Sequence, residues 1–305
     1  MRNAVAAAGL VLLLAACGSS DEPRPQPARS GKLLARADGA SALAPLPSGG
    51  LRFGELSGRV RDVRPDGSLR DVTRLAVASG GQRGLLGLAL DARGRTYVAY
   101  VERGAPRRLV VARVAPGRRR LVWRGPPSRD LANGGHLELA PDGRLTIGIG
   151  DLQDPSAVRD PDMVNGKLLT LNPDGPAGQR PRVLSGGWNN PYAFAWGPDG
   201  RLWVADNAPG RRPERIARGD PAGRGAPVRF LRERLAPSGL AAIDAGHLAL
   251  CGFVSRRLER VDVGGGGPPR IVGSALATDC TLGVARLSDG RLAYATGRAI
   301  RVLGA

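Results

Sequence analysis

The stretch Ala193-Phe194-Ala195-Trp196-Gly197-Pro198-Asp199-Gly200-Arg201-Leu202-Trp203-Val204-Ala205 joins an apolar strand, an Asp-Gly turn and a second strand with bulky residues at intervals of two. Asp-Gly between short apolar runs marks a hairpin, because the turn needs a positive φ that Gly supplies without steric cost. The unit recurs as Leu85 to Leu90 before Gly94, Leu137 to Ala140 before Asp142-Gly143, Leu240 to Ile243 before Gly246, and Gly283 to Leu287 before Asp289-Gly290. The turn glycines 94, 143, 200, 246 and 290 are 49, 57, 46 and 44 residues apart. An earlier copy, Gly58 to Val63 before Asp66-Gly67, makes six. A strand-rich unit repeating at about 45 residues is the mark of propeller blades. No segment of the body has the period of a long amphipathic helix. The predicted fold is therefore all-β, a six-bladed β-propeller of four-stranded antiparallel blades. A β-sandwich, the other all-β packing, would not repeat this unit at this spacing.

Outward from the repeats, the chain opens with Arg2, an apolar run from Ala4 to Ala16, and Leu14-Ala15-Ala16-Cys17 followed by Gly18-Ser19-Ser20. The run is shorter than the roughly 20 residues a spanning helix needs, and small residues before a Cys read as a secretory cleavage site. The pattern looks like a bacterial lipoprotein signal, with Cys17 the lipidated N-terminus after cleavage. Residues 1–17 are thus expected to be the signal peptide, 18–47 a Pro-, Ser-, Ala- and Arg-rich flexible tether, and 48–305 the propeller. The expected location is extracytoplasmic, anchored to the cell membrane by lipid.

The net charge is +18, and of the 45 basic residues only Lys32 and Lys167 are not Arg. The arginines are scattered through every segment, with one short cluster at Arg118-Arg119-Arg120. That distribution speaks against a nucleic-acid partner and for loose attraction to anionic lipid or cell-wall polymer. Cys251 and Cys280 are the thiols left in the mature body; an oxidising compartment permits a bridge, and two free buried thiols fit the sequence equally. With His136 and His247 as the sole histidines and no clustered Cys, a zinc site is not expected.

Four motifs carry a family likeness. They are Gly80-Gly81-Gln82-Arg83-Gly84-Leu85 onward, Gly134-Gly135-His136-Leu137 through Asp142-Gly143 to Gly150-Asp151, Asn165-Gly166-Lys167-Leu168-Leu169-Thr170-Leu171-Asn172-Pro173-Asp174-Gly175, and Asn189-Asn190-Pro191-Tyr192 ahead of Trp203-Val204-Ala205-Asp206. In this order over residues 51–216 they resemble the glucose/sorbosone dehydrogenase family, six-bladed propellers that use pyrroloquinoline quinone (PQQ) to oxidise sugars. The resemblance implies an oxidoreductase in which a His removes the proton of a sugar hydroxyl, hydride passes to the quinone, an acidic residue orients the His, and calcium polarises the quinone oxygens. The implied partner is a small-molecule sugar, or a carbohydrate of the cell envelope.

Carried over position by position, Gln82 stands at the sugar-facing Gln, Asp151 at the acidic partner of the base, and Asn190 at a cofactor-contacting Asn. The base position is Ala132, with His136 beyond the Gly-Gly as a substitute candidate. The Arg that would clamp a cofactor carboxylate is Asn189. Calcium ligands fall on the backbone carbonyls of Ala208 and Pro209 and on Glu214; calcium takes about six to eight oxygens, so this set is thin. On their residue types alone, Gln82, Asn190 and Glu214 equally suit satisfying backbone groups at blade ends, Asp151 a turn, and His136 a half-buried place beside a strand. A propeller that binds carbohydrate, cell-wall polymer or protein without catalysis is the alternative reading.

Overall fold

The computed structural model describes residues 30–208 and 212–304. The prediction of a six-bladed propeller holds: six four-stranded antiparallel sheets are arranged around an axis. β1 (Lys32–Arg36) belongs to the last blade, and the first is β2 (Ala40–Pro45), β3 (Leu51–Glu55), β4 (Arg59–Val63) and β5 (Leu69–Arg74). The second blade is β6 (Leu85–Leu90), β7 (Thr96–Val101), β8 (Arg108–Ala115) and β9 (Arg118–Pro127). The third is β10 (Leu137–Leu139), β11 (Leu145–Ile149), β12 (Lys167–Leu171) and β13 (Arg182–Gly186). The fourth is β14 (Ala193–Trp196), β15 (Leu202–Asp206), β16 (Arg215–Arg218) and β17 (Arg229–Phe230). The fifth is β18 (Pro237–Ala242), β19 (His247–Gly252), β20 (Leu258–Asp262) and β21 (Arg270–Ile271). The sixth is β22 (Val284–Arg286), β23 (Leu292–Ala295) and β24 (Ala299–Leu303), completed by β1.

Two sequence expectations are corrected. The tether does not run to residue 47, because β1 pairs with β24 and closes the ring, and β2 is the innermost strand of the first blade. The copy read at 58–67 is the outer hairpin β4–β5, not an inner one; the inner pair β2–β3 turns at Gly49-Gly50, both with positive φ. Counted from Gly49, the next turn glycine is 45 residues on, which restores the repeat. Cys17 lies outside the described residues. Among those described, no helix is long and apolar enough to cross a membrane.

The blades hold together by face-to-face burial of alternate residues. Tyr97, Tyr100, Tyr294, Phe53 and Phe194 are completely buried between sheets, each removing a large apolar area from water. At the axis the innermost strands crowd, and small residues are required there. A Cβ at Gly87 on β6 would lie 2.3 Å from the Gly135 carbonyl oxygen of the neighbouring blade.

Cys251 and Cys280 form a disulfide, with Cα atoms 5.7 Å apart, tying β19 to the segment that enters the sixth blade. The 29-residue separation corresponds to a loop-closure contribution of about 3–4 kcal/mol in the chain-entropy model. Replacing both cysteines by Ser is expected to lower the melting temperature by roughly 10 °C, read by calorimetry. An unchanged melting temperature would mean that the inter-blade packing alone sets stability.

Candidate functional site

In each blade the innermost strand runs away from one end of the axis, so the loops that precede these strands converge at that end. They enclose a cavity of about 470 Å³ to which all six blades contribute, a size suited to a small-molecule ligand. Ser41 comes from the first blade, Gln82 and Arg83 from the second, Ala132 and Gly134 from the third, Asn190 and Tyr192 from the fourth, Arg234 and Phe253 from the fifth, and Leu282 from the sixth.

Three sequence-predicted positions therefore meet on the cavity wall: Gln82, Ala132 and Asn190. Gln82 Oε1 accepts the Ala132 N–H at 2.7 Å, and Asn190 Oδ1 accepts the Gly134 N–H at 3.0 Å. These amides thus hold the 132–134 loop, which is the backbone-satisfying role weighed for them. Asn133, which sequence reasoning passed over, is completely buried and binds Gln82 O at 2.9 Å and Arg129 O at 2.8 Å. Ala132 itself has φ +54°, and Leu152 N–H donates to its carbonyl at 3.1 Å. Its methyl is buried and offers no proton acceptor.

Neither acidic partner nor substitute base reaches the cavity. Asp151 is buried, and its Oδ1 accepts the Gln153 N–H at 2.9 Å in a local turn. His136 does not line the cavity; its ring packs edge-on against Phe194 at 4.6 Å, and its Nε2 lies 3.6 Å from Glu138 Oε1 with no hydrogen-bond partner. The substitution of His136 for the missing base is thereby corrected: its place beside β10 turns it into the inter-blade core. Among the described residues on the cavity wall none is His, Asp, Glu, Lys or Cys.

Asn189 is likewise turned to a structural task. Its backbone N–H and its Nδ2 donate to the carboxylate of Asp206, each at 3.0 Å, and Arg212 donates to its Oδ1 at 3.0 Å. Asp206 is completely buried and also accepts the Asn190 N–H at 2.8 Å and Arg215 Nε at 3.2 Å. Burial pushes the Asp206 carboxyl up, and Arg215 with these amides opposes it. The cations on the cavity wall are instead Arg83 and Arg234. Arg234 lies beyond residue 220, where no motif pointed to it; the signal available was only its place before an innermost strand.

For calcium, Pro209 lies outside the described residues and Ala208 is buried. Glu214 is buried, with its two carboxylate oxygens taking the amides of Leu235 and Ala236 at 2.8 to 3.1 Å. Burial pushes Glu214 up, against those hydrogen bonds. A carboxylate so committed, with no cluster of three metal-ligating side chains among the described residues, does not fit a hard cation that needs several anionic oxygens.

A flat, anionic quinone is a better match for what is present. Leu56, Leu86, Leu131 and Val254 give apolar wall area, and Arg83 and Arg234 are its cationic side chains, Arg83 being paired with Asp130 at 2.5 Å.

A model of the glucose/sorbosone dehydrogenase family matches residues 38–216. The chain belongs to this family. Solved relatives include a glucose dehydrogenase-like oxidoreductase of Thermus thermophilus, 27% identical over 90% of this chain and 98% of that one, with a TM-score of 0.75. The PQQ-bound aldose sugar dehydrogenase of Streptomyces coelicolor is 21% identical over 90% and 96%, TM-score 0.74. The apo aldose sugar dehydrogenase of Escherichia coli is 21% identical over 89% and 98%, TM-score 0.74. The last two share the fold. No curated protein matches the chain.

Burial raises the Asp151 carboxyl above its ordinary value near 3.8. A folded-state value above the unfolded one means that the native state binds the extra proton, so stability is lost as pH rises through that window. Asp151→Asn, which keeps the acceptor for Gln153, is expected to raise the melting temperature at pH 7 and to leave it unchanged below about pH 3. Equal effects at both pH values would contradict this.

Proposed function

We propose that this chain is an extracytoplasmic, lipid-anchored family member whose axial cavity holds a quinone of the PQQ class but lacks the base for rapid sugar oxidation. The observation that carries the reading is the cavity wall itself, where Ala132 stands at the base position and, among the described residues, no His, Asp, Glu, Lys or Cys takes its place. In this reading Arg234 and Arg83 bind the ligand's carboxylates, Arg83 by exchanging its pairing with Asp130, the leucines exclude water from its ring, and Gln82 with Asn190 fixes the loop between them. The quinone, when bound, supplies a hydride acceptor. Asp151, with no imidazole to orient, is left as a buried turn residue. A positioned general base contributes typically about 10²- to 10⁴-fold, and that factor is what the chain forgoes.

Titration of the purified chain with PQQ, followed by tryptophan fluorescence and by the shift in melting temperature, tests the binding half. Saturable binding is expected, with about 2.7 kcal/mol of added stability at a hundredfold excess over Kd. Absence of both signals removes the quinone from the reading.

One observation favours a second reading, a non-catalytic propeller that binds a carbohydrate of the cell envelope or a protein. Leu56, Leu131, Phe253 and Val254 line the cavity yet remain 37 to 58% exposed, forming an apolar mouth. Binding of a cell-envelope polysaccharide in the absence of PQQ, weakened by Phe253→Ser, would support that reading over the first.

A further inference from the structure

The end of the propeller opposite the cavity carries a second, chemically different surface. A groove of about 900 Å³ lies between the first and second blades, and among the described residues its walls hold seven arginines and one carboxylate, Asp71. Asp62 pairs with Arg52 and Arg70, Asp91 with Arg95, and Asp174, whose side chain is 58% exposed, with Arg95, Arg113 and Arg120. Arg118 and Arg119, beside the β8–β9 turn, are exposed, and Arg70 on the facing wall has a 65% exposed side chain.

Register places this groove. β6 runs from the cavity loop at Gln82 and Arg83 down to its turn at Gly94, and Thr96 pairs with Val114, so the turns at Gly94 and Gly117 share the far end. The chain enters the domain at that same end. Lys32 pairs with Val302 and Leu292 with Leu303, beside the Asp289-Gly290 turn, whereas Leu282 lies on the cavity wall. The entering strand also passes close to the groove: a Cβ on Gly67, in the β4–β5 turn next to Arg70, would lie 2.8 Å from the Leu34 carbonyl oxygen.

We infer that this arginine-lined groove docks on the anionic phospholipid headgroups of the membrane, with the cavity mouth turned away from the bilayer. Phosphate oxygens are what guanidinium forks recognise. A single acyl anchor gives marginal membrane binding, and a basic patch supplies the second attachment. The orientation rests on the lipid anchor at Cys17, from which residue 30 is only 13 positions away; the affinity of the groove for phosphate headgroups does not.

The test therefore uses the chain from Gly18 onward, which carries no acyl group and keeps all six sheets. Co-sedimentation is measured with vesicles of phosphatidylcholine alone and with roughly one quarter phosphatidylglycerol added. Binding is expected to the anionic vesicles, to fall steeply with salt, and to be absent on phosphatidylcholine. Arg118→Gln is expected to weaken it about fivefold and Arg118→Gln with Arg119→Gln on the order of twentyfold, at about one headgroup interaction per arginine. Arg107→Gln, the same charge change in the β7–β8 turn at the cavity end, is expected to have no effect. Arg70→Gln, on the other wall, serves should the double variant fail to melt cooperatively. Equal binding to neutral vesicles, no binding to anionic ones, or an equal loss from Arg107→Gln would overturn the inference, and none of these results bears on lipidation at Cys17.

Discussion

Ala132→His is expected to raise PQQ-dependent oxidation of aldoses by about 10² to 10⁴ over the natural chain, measured as dye reduction at saturating quinone and sugar. The backbone is already prepared for it. Ala132 sits at φ +54°, a conformation that His adopts more readily than most side chains. Its N–H is held by Gln82 Oε1 and its carbonyl by Leu152, so the new ring would be launched from a fixed point on the cavity wall. Two features separate a restored base from a mere change of shape. The gain should follow a titration near the ordinary imidazole value, of about 6.5, and Ala132→Asn, which fills space without a base, should not reproduce it. A variant that binds PQQ as the natural chain does and shows no gain would mean that more than the base has been lost.

Asp206→Ala should produce the largest loss of stability of any single change at the site, about 3–5 kcal/mol, read from chemical denaturation. The carboxylate is completely buried and gathers the backbone amides of Asn189 and Asn190, the Asn189 side chain and the Arg215 guanidinium. Removing it strands these donors and leaves Arg215 without its ion pair, and unpaired buried donors cost more than a made bond contributes. Arg215 also stacks over Trp188 at 4.8 Å, so the disturbance reaches the core packed between the third and fourth blades. Because Asn190 in turn holds Gly134, PQQ affinity should fall together with stability. A loss below about 1 kcal/mol would place the weight of this corner on apolar packing instead.

The blade repeat was legible because the Asp-Gly turns announce themselves: Gly143, Gly200 and Gly290 all have the positive φ that the turn demands. The first blade was hidden for a physical reason. Its innermost strand reads Ala-Ser-Ala-Leu-Ala-Pro, which lacks the β-branched and aromatic residues that signal a strand and resembles a linker. At the crowded axis small side chains are what fit, and Ala40, Ala42 and Ala44 are all buried there. The closing strand β1 gave no local signal either, since its partner β24 is some 270 residues away in the chain.

At the site, Gln82, Ala132 and Asn190, which the motifs singled out, all line the cavity. They could not show that Asn189 and Glu214 are occupied in bracing backbone, because residue type alone does not reveal which donors a buried acceptor meets. Nor could they supply Arg234, Phe253 and Val254, which lie where the family likeness had faded but where the propeller topology still returns loops to the axis.

The most direct measurement follows the absorbance of quinone held by the natural chain after excess aldose is added, with no dye present. A bound-quinone spectrum that persists unchanged over many minutes, while the Ala132→His protein bleaches it, is the expected result. Rapid reduction of the quinone by the natural chain would contradict the claim that its cavity binds the cofactor without a base to use it.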